Sequence, residues 1–332
     1  MASLLSPLSI NGVELQNRIV MPPMATNMST LEGLLTEKAI RHYAERAEDV
    51  GLIVVEHAYI APEGRFTEKQ LGIYSDEMME PLKKLVQAVH KKGAKIGFQL
   101  AHAGSRAKPE IIGELPVGPS PVIHPLGDVC PVELSKADIA RLLDLYAAAA
   151  ERVKNCGFDM VEIHGAHGYL LGQFISPLTN KRQDEYGGNT QNRAKFPVQV
   201  VKAVRKQLGE NFPLFYRLGA DDRLSGGLTP DEAAAVAGCL VKAGIDCIDL
   251  SGNHCLYLAD NKEQGYFVYL AEKVRPEVDV PLLVTGGITE AEFADDLVRK
   301  EKTDLVGVGR ALLKDAAWAR KAVKELAGDM VE

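Results

Sequence analysis

Short apolar runs alternate with amphipathic stretches along most of this chain. Eight runs are short and nearly all apolar, as expected for strands that are covered on both faces. These predicted strands span residues 18–21, 51–56, 95–100, 160–164, 213–217, 245–250, 281–285 and 304–308. The stretches with helical spacing are residues 37–47, 79–91, 136–155, 196–208, 230–242, 266–274, 290–300 and 316–327. The chain therefore repeats a strand and a helix along its length.

This repeat predicts an α/β fold, a (β/α)8 TIM barrel that forms one domain over residues 1–332. An open doubly wound sheet is the alternative. It is disfavoured because no Gly-x-Gly-x-x-Gly motif follows the first strand and the repeat does not divide into two halves. Asn11-Gly12 between two apolar pieces predicts an N-terminal β-hairpin, which we expect to cap one end of the barrel. The proline-rich residues 103–134 predict a long functional loop after the third strand.

Composition narrows the class of protein. Apolar residues make up 46% of the 332 residues and the net charge is −7, without a basic cluster, so nucleic acid is not expected as a partner. The N-terminus lacks a signal-peptide pattern and no apolar run is long enough to span a membrane, so we expect a cytoplasmic protein. Five cysteines without a Cys-x-x-Cys pair argue against a disulfide framework and against a cysteine-ligated zinc or iron–sulfur site.

Two histidines and a tyrosine lie at the end of the fourth predicted strand. The apolar run 160–164 ends in His164, and His167 and Tyr169 follow closely. Strand ends of this kind bind ligands in α/β barrels. Structural histidines or a metal pair are the alternatives, but no third ligand is evident, so no metal is expected. The catalytic interpretation is that both imidazoles donate to one substrate oxygen while the neutral phenol supplies a proton.

A buried arginine and a buried glutamine end two other strands. Arg217 at the end of the fifth strand needs a partner, because an unpaired buried charge is costly. That partner is either an anionic or electron-rich ligand, or a structural ion pair with Asp221, Asp222 or Glu162. Gln99 ends the third strand and offers both a donor and an acceptor, which suits a planar heterocycle. A core amide with satisfied hydrogen bonds is the alternative.

Glycines follow the seventh and eighth strands. Gly286-Gly287 lies between the seventh strand and a predicted helix. Gly309-Arg310 follows the eighth strand in the same way and adds a positively charged side chain. In α/β barrels these two loops often bind a phosphate, because bare amides favour an anion. Tight turns without a ligand are the alternative.

At these residues the chain resembles the old yellow enzymes, FMN-dependent ene reductases on a (β/α)8 barrel. The resemblance covers nearly the whole chain. It is most specific in residues 164–170, HGAHGYL, and in 176–182, SPLTNKR, with 184–188, DEYGG. Residues 99–104, QLAHAG, also resemble the third-strand motif of the family. Together these motifs are a strong signal, whereas each alone is weak.

The resemblance implies a role for each matching residue. His164 and His167 hold the substrate carbonyl oxygen, Asn27 also contacts substrate, and Tyr169 protonates the α-carbon after hydride reaches the β-carbon. NADH or NADPH reduces the flavin again by hydride transfer, so turnover should follow ping-pong kinetics. With the strand-end residues His57 and Ser251 included, the expected FMN contacts are Pro23, Met24, Ala25, His57, Gln99, Arg217, Ser251, Gly286, Gly287, Gly309 and Arg310.

The sequence departs from the family at several positions. Ala25 stands where relatives carry a Cys or Thr that bonds the flavin, with Thr26 as a substitute donor, and Asn27 stands where one branch has a Tyr. Residues 22–28 and Gly165 look closer to the enoate and 2,4-dienoyl-CoA reductase branch. This sequence lacks the iron–sulfur region of that branch and the arginine-bearing tail of other relatives. We therefore expect either a stand-alone barrel or a separate redox partner chain.

The leading hypothesis is an FMN-dependent oxidoreductase that reduces a carbonyl-conjugated C=C bond with hydride from NADH or NADPH. The expected substrates are small enones, enals or enoates, and the sequence is compatible with a homo-oligomer. The alternatives are a flavin-binding electron-transfer subunit and a metal-dependent barrel hydrolase or lyase that uses His164 and His167.

Overall fold

The computed structural model describes residues 2–258 and 260–328. Eight parallel strands close into a barrel in the order β3-β4-β5-β8-β9-β10-β11-β12, which confirms the predicted (β/α)8 fold. The strands are β1 Leu8–Ile10, β2 Val13–Leu15, β3 Ile19–Met21, β4 Leu52–Tyr59, β5 Lys95–Ala101, β6 Val117–Gly118, β7 Val132–Glu133, β8 Met160–Gly165, β9 Leu214–Gly219, β10 Cys247–Ser251, β11 Leu282–Thr285 and β12 Leu305–Gly307. All eight predicted runs are barrel strands, with bounds shifted by up to three residues.

Helices surround the barrel. They are α1 Glu37–Ala44, α2 Met79–His90, α3 Pro109–Ile112, α4 Lys136–Asn155, α5 Leu170–Ile175, α6 Thr190–Arg193, α7 Lys195–Leu208, α8 Pro230–Lys242, α9 Val268–Val274, α10 Ala291–Arg299, α11 Arg310–Lys314 and α12 Trp318–Gly328. Capping boxes at Ser135 and Thr229 fix where α4 and α8 begin. The short helices α3, α5, α6 and α11 were not predicted, because pieces of one or two turns carry little periodic signal.

The predicted N-terminal hairpin caps the amino end of the barrel. Strands β1 and β2 pair in antiparallel fashion across Asn11 and Gly12, whose φ angles of 44° and 82° are the left-handed values of a tight hairpin turn. Its side chains Ile10 and Leu15 pack on the lowest layer of the barrel interior. The other buried members of this layer are Val20, Leu52, Val54, Met160, Phe215, Cys247, Leu283 and Leu305. We call these ten residues the lower layer.

A second layer lies one step further toward the carboxyl ends of the strands. Residues two positions apart on a strand face the same side, so Glu162 follows Met160 and Arg217 follows Phe215 into the interior. Gln99 on β5 and Asp249 on β10 complete this polar set, and all four side chains are at least 96% buried. We call these four residues the upper layer.

The proline-rich segment 103–134 follows β5 on the carboxyl face, as predicted. It is mostly irregular, but it contains a 3-10 turn, Gly104–Arg106, the short helix α3, and the two-residue parallel pair of β6 and β7. In the part of the chain that the structure describes, no helix is both long and apolar enough to cross a membrane.

Candidate active site

A cavity of about 1140 Å³ opens at the carboxyl ends of the barrel strands. Such a volume accommodates a ligand larger than most drug molecules. Eleven of the residues predicted for the site line it together: Pro23, Met24, Ala25, His57, His167, Tyr169, Arg217, Gly286, Gly287, Gly309 and Arg310. Residues that are distant in sequence therefore meet at one surface, as the barrel predicts.

Four other predicted residues do not line the cavity. His164, Gln99 and Ser251 are buried directly behind its wall. Asn27 lies outside the cavity, with a left-handed φ of 52°, and its side-chain oxygen accepts a hydrogen bond of 2.8 Å from Thr67 Oγ1. The structure thus buries His164, Gln99 and Ser251 beneath the site, and the Asn27 side chain is engaged with Thr67 instead of the cavity.

His164, His167 and Tyr169 form one cluster, in which the ring centroids of His164 lie 5.1 Å from His167 and 4.9 Å from Tyr169. His167 has a left-handed φ of 56°, which turns the chain sharply after β8. Its Nε2 lies 2.8 Å from Ser251 Oγ. In contrast, both ring nitrogens of His164 are buried without a hydrogen-bond partner among the described residues. A buried polar atom without a partner is costly, so His164 is suited to bind a ligand oxygen.

All three of these groups are uncharged. Burial lowers the pKa of His164 and of His167 well below the usual range, and the neighbouring Arg217 and Arg106 charges act in the same direction. Burial raises the pKa of the Tyr169 phenol. Neutral imidazoles and a protonated phenol can donate hydrogen bonds without bringing an unpaired charge into the site. Among residues 2–258 and 260–328, no group of three His, Cys, Asp or Glu side chains is arranged to hold a metal ion.

His57 lies against the Tyr169 hydroxyl, with 3.4 Å between its Nε2 and the phenol oxygen. On the other side of the ring, Gln70 Nε2 lies 2.8 Å from His57 Nδ1. Burial lowers the pKa of His57 to about 4, so this imidazole is also neutral. The sequence suggested His57 as a cofactor contact, and the structure adds its hydrogen bonds to Gln70 and Tyr169.

Arg217 forms a buried ion pair with Asp249, at 3.3 Å between Nε and Oδ2. The two residues are register partners on β9 and β10. The expectation that a structural partner would be Asp221, Asp222 or Glu162 was therefore wrong. Spacing along the sequence gave no measure of cross-strand register, and register decides which carboxylate reaches the guanidinium. Arg217 still lines the cavity.

Gln99 donates a hydrogen bond of 2.7 Å to Glu162 Oε1. Burial and the nearby Asp249 charge raise the pKa of the Glu162 carboxyl. The upper layer therefore holds one cation, Arg217, between two carboxyl groups, of which Glu162 binds its proton more tightly than an exposed glutamate does.

The glycines after β11 and β12 stand where a side chain would press against neighbouring protein atoms. Gly286 and Gly287 have φ angles of 137° and 69°, and a Cβ on Gly287 would lie 2.7 Å from Glu263 O. A Cβ on Gly309 would lie 3.2 Å from Met24 Sδ. Bare backbone at these loops, next to Arg310, fits a phosphate group.

Arg106 also lines the cavity, although none of the sequence motifs pointed to it. Its guanidinium lies 4.7 Å from the centroid of Phe66 and 5.3 Å from that of Tyr169. Its Nη1 donates a hydrogen bond of 2.5 Å to His167 O. The sequence signal for Arg106 was a basic residue shortly after β5. Its contact with Phe66 gave no signal, because Phe66 lies on a separate loop.

These features together fit FMN. The cavity is large enough, and its lining includes the bare backbone of Gly286, Gly287 and Gly309 together with the side chains of Arg310 and Arg217. His167 and Tyr169 line the same cavity, and the His164 ring is buried against both of them.

Comparison with known proteins agrees with this fit. A family model for the NADH:flavin oxidoreductase / NADH oxidase family matches residues 3–329. An NADPH dehydrogenase of Bacillus subtilis (strain 168) is 40% identical over 325 residues, which cover 97% of this chain and 95% of that protein. An NADH oxidase of Thermoanaerobacter brockii is 39% identical over 321 residues, which cover 94% of this chain and 49% of the oxidase. The chain thus spans about half the length of that relative.

Two solved structures share the fold. A 2-naphthoyl-CoA reductase in complex with 2-naphthoyl-CoA has a TM-score of 0.93 at 26% identity, covering 97% of this chain and 52% of that one. An old yellow enzyme homologue from Zymomonas mobilis has a TM-score of 0.88 at 28% identity, covering 97% and 93%. The family that the sequence motifs indicated is therefore confirmed. The chain belongs to the NADH:flavin oxidoreductase / NADH oxidase family, the old yellow enzymes, and is an NAD(P)H-dependent oxidoreductase with FMN as its cofactor.

Proposed function

We propose that this enzyme reduces carbonyl-conjugated C=C bonds of small molecules. The observation that carries the proposal is the pair of unpartnered ring nitrogens of His164, buried beside the protonated phenol of Tyr169. FMN, when bound and reduced by NADH or NADPH, supplies the hydride for this chemistry. The chain itself supplies the groups that hold the acceptor and deliver the proton.

His164 and His167 hold the carbonyl oxygen of the acceptor. Both imidazoles are neutral, and each has one N–H to donate. Donors fixed in a buried site stabilise the negative charge that moves onto this oxygen as the alkene accepts hydride. His164 then gains the hydrogen-bond partner that its ring nitrogens lack among the described residues.

Tyr169 donates a proton to the α-carbon of the acceptor. Burial keeps the phenol protonated, and it lines the cavity beside His167. The Arg106 guanidinium over its ring favours the negative charge that the phenol oxygen carries after the transfer. Solvent then returns the proton to Tyr169, so that the residue is ready for another turnover.

The test uses the FMN-loaded chain in two anaerobic steps. The enzyme is first reduced with NADPH and then mixed with 2-cyclohexenone, and the products are identified by NMR. We expect the flavin absorbance to return while cyclohexanone forms in a one-to-one ratio. Reduction by NADPH without reoxidation by any enone or enal would overturn the proposal and would favour an electron-transfer subunit.

A further inference from the structure

The Tyr169 hydroxyl has one side-chain neighbour whose orientation the structure fixes, His57. Gln70 determines that orientation, because its Oε1 accepts a hydrogen bond of 2.7 Å from the backbone N–H of Phe66. Its amide nitrogen then points toward His57 and lies 2.8 Å from Nδ1 and 3.2 Å from the His57 carbonyl oxygen. An amide nitrogen only donates, so Nδ1 of His57 is an acceptor and carries no proton.

The proton of His57 is therefore on Nε2, which faces the Tyr169 oxygen at 3.4 Å. A neutral imidazole carries one N–H, and with Nδ1 accepting from Gln70 that N–H must be on Nε2. The Tyr169 oxygen then accepts this hydrogen bond. Its own proton is left to point elsewhere, toward the cavity that Tyr169 lines.

Two other titratable groups face Tyr169. His164 lies on one edge of its ring, and the Arg106 guanidinium lies over the ring face. Among the described residues, no carboxylate shifts the pKa of the phenol. Its neighbours are the neutral imidazoles and one cation. The Arg106 charge therefore favours a negative charge on the phenol oxygen, and among the described side chains His57 is within reach of a hydrogen bond to it.

We infer that His57, held by Gln70, is a positioning residue for Tyr169, which fixes the direction of the phenol proton and stabilises the phenolate formed on proton transfer. This inference rests on the proposed function. The His57 proton stays on Nε2 throughout, and only the Tyr169 O–H bond breaks as the α C–H bond forms. The proton that restores the phenol comes from water.

The first test is a double-mutant cycle with His57→Phe, which keeps the ring and removes the N–H. We expect reoxidation of the reduced enzyme by 2-cyclohexenone to slow about 10-fold, since the lost hydrogen bond is to a developing charge. Because His57 lines the cavity, this slowing is measured relative to NADPH reduction of the same variant, and His57→Gln, which keeps a donor, should recover most of the rate. In the Tyr169→Phe background, His57→Phe should have no further effect. An equal loss in both backgrounds would show a merely structural role and would overturn the inference.

The second test does not depend on alkene reduction. In ¹⁵N-histidine-labelled FMN-bound protein, the His57 resonances are assigned by their loss in His57→Phe. We expect the chemical shifts of an Nε2-protonated tautomer, and we expect these shifts to stay the same between pH 5.5 and pH 9, because the pKa of His57 is about 4. An Nδ1-protonated tautomer, or a cation that titrates in this range, would overturn the inference even if no enone is reduced. A wild-type enzyme that reduces no enone but shows the expected tautomer would contradict the proposed function alone.

Discussion

The barrel interior contains two adjacent layers with opposite chemistry. The lower layer consists of ten apolar side chains under the N-terminal hairpin. The upper layer, two residues further along each strand, consists of Gln99, Glu162, Arg217 and Asp249. Both layers are almost fully buried, but only the upper layer adjoins the cavity, through Arg217.

The difference shows that the layer that stabilises the barrel and the layer that adjoins the site are separate. Burial of apolar surface in the lower layer stabilises the fold by about 25 cal/mol for each Å² removed from water. The upper layer has no such gain, because buried charges must first be desolvated and their attraction barely offsets that cost. The site above it has a cost of its own, since among the described residues the buried His164 ring finds no hydrogen-bond partner. We therefore expect substitutions in the lower layer to change stability, and substitutions at the site to change rates.

The largest expected effect is on stability, from Phe215→Ala in the lower layer. Phe215 is 2% exposed, so its truncation should lower the free energy of unfolding by about 3–5 kcal/mol through lost burial and a cavity. The folded fraction should keep both half-reaction rates. Denaturant unfolding measures the loss, and Leu224→Ala, at a side chain that is 46% exposed, is the matched control. A loss below about 1 kcal/mol would mean that the lower layer can collapse around the missing ring.

The opposite pattern is expected for His164→Ala at the site. Loss of one oxygen-binding donor should slow the enone half-reaction about 10²- to 10³-fold, while reduction by NADPH stays the same. The truncation also removes buried ring contacts with His167 and Tyr169, so both rates are compared on the folded fraction. Stopped-flow absorbance separates the two half-reactions. His90→Ala, which removes an imidazole on α2 that pairs with Asp159, is the control and should leave both rates unchanged. Equal slowing of both half-reactions would mean that His164 contacts the flavin and not the carbonyl oxygen of the acceptor.

The smallest expected effect is a change in pH dependence, from Glu162→Gln in the upper layer. The pKa of Glu162 is raised above 4.5 in the folded protein, so the folded state holds this proton more tightly than the unfolded state. Its contribution to stability is then lost as the pH rises from 4.5 through the folded pKa. Glutamine has no proton to lose, and it keeps an oxygen to accept from Gln99.

Thermal unfolding of the apoprotein from pH 5 to pH 9 measures this effect. We expect Glu162→Gln to lose about 1–2 kcal/mol less stability over this range than the wild type. A smaller decline should remain, because burial also raises the pKa of Asp249. Glu325→Gln, at an exposed position on α12, should follow the wild-type curve. A variant that declines as steeply as the wild type would mean that Glu162 is ionised in the folded state.

The fold was predictable because its signals are local. Each barrel strand is a short apolar run covered on both faces, and the Asn11-Gly12 turn fixes the hairpin by its own left-handed backbone. Helices α4 and α8 were predicted with their correct bounds, Lys136–Asn155 and Pro230–Lys242, because the capping residues Ser135 and Thr229 mark where they start. Element bounds elsewhere moved by a few residues, where helix ends and strand ends depend on tertiary contacts.

The site was predictable only where a residue type and a strand end coincide. Gly286 and Gly287 could be found in this way, as could His167 and Tyr169. Asp249 could not, because its contact with Arg217 depends on the register between β9 and β10. The contact of Arg106 with Phe66 could not be found either, since two loops without periodicity bring these residues together.

The most direct test of the account is Tyr169→Phe, measured in both half-reactions. The substitution removes only the hydroxyl, so FMN content and reduction by NADPH should match the wild type. Reoxidation by 2-cyclohexenone should slow about 10²- to 10⁴-fold, because the α-carbon loses its proton donor. Unchanged reoxidation would contradict the role of Tyr169 as the acid and, with it, the assignment of the neutral donor cluster to alkene reduction.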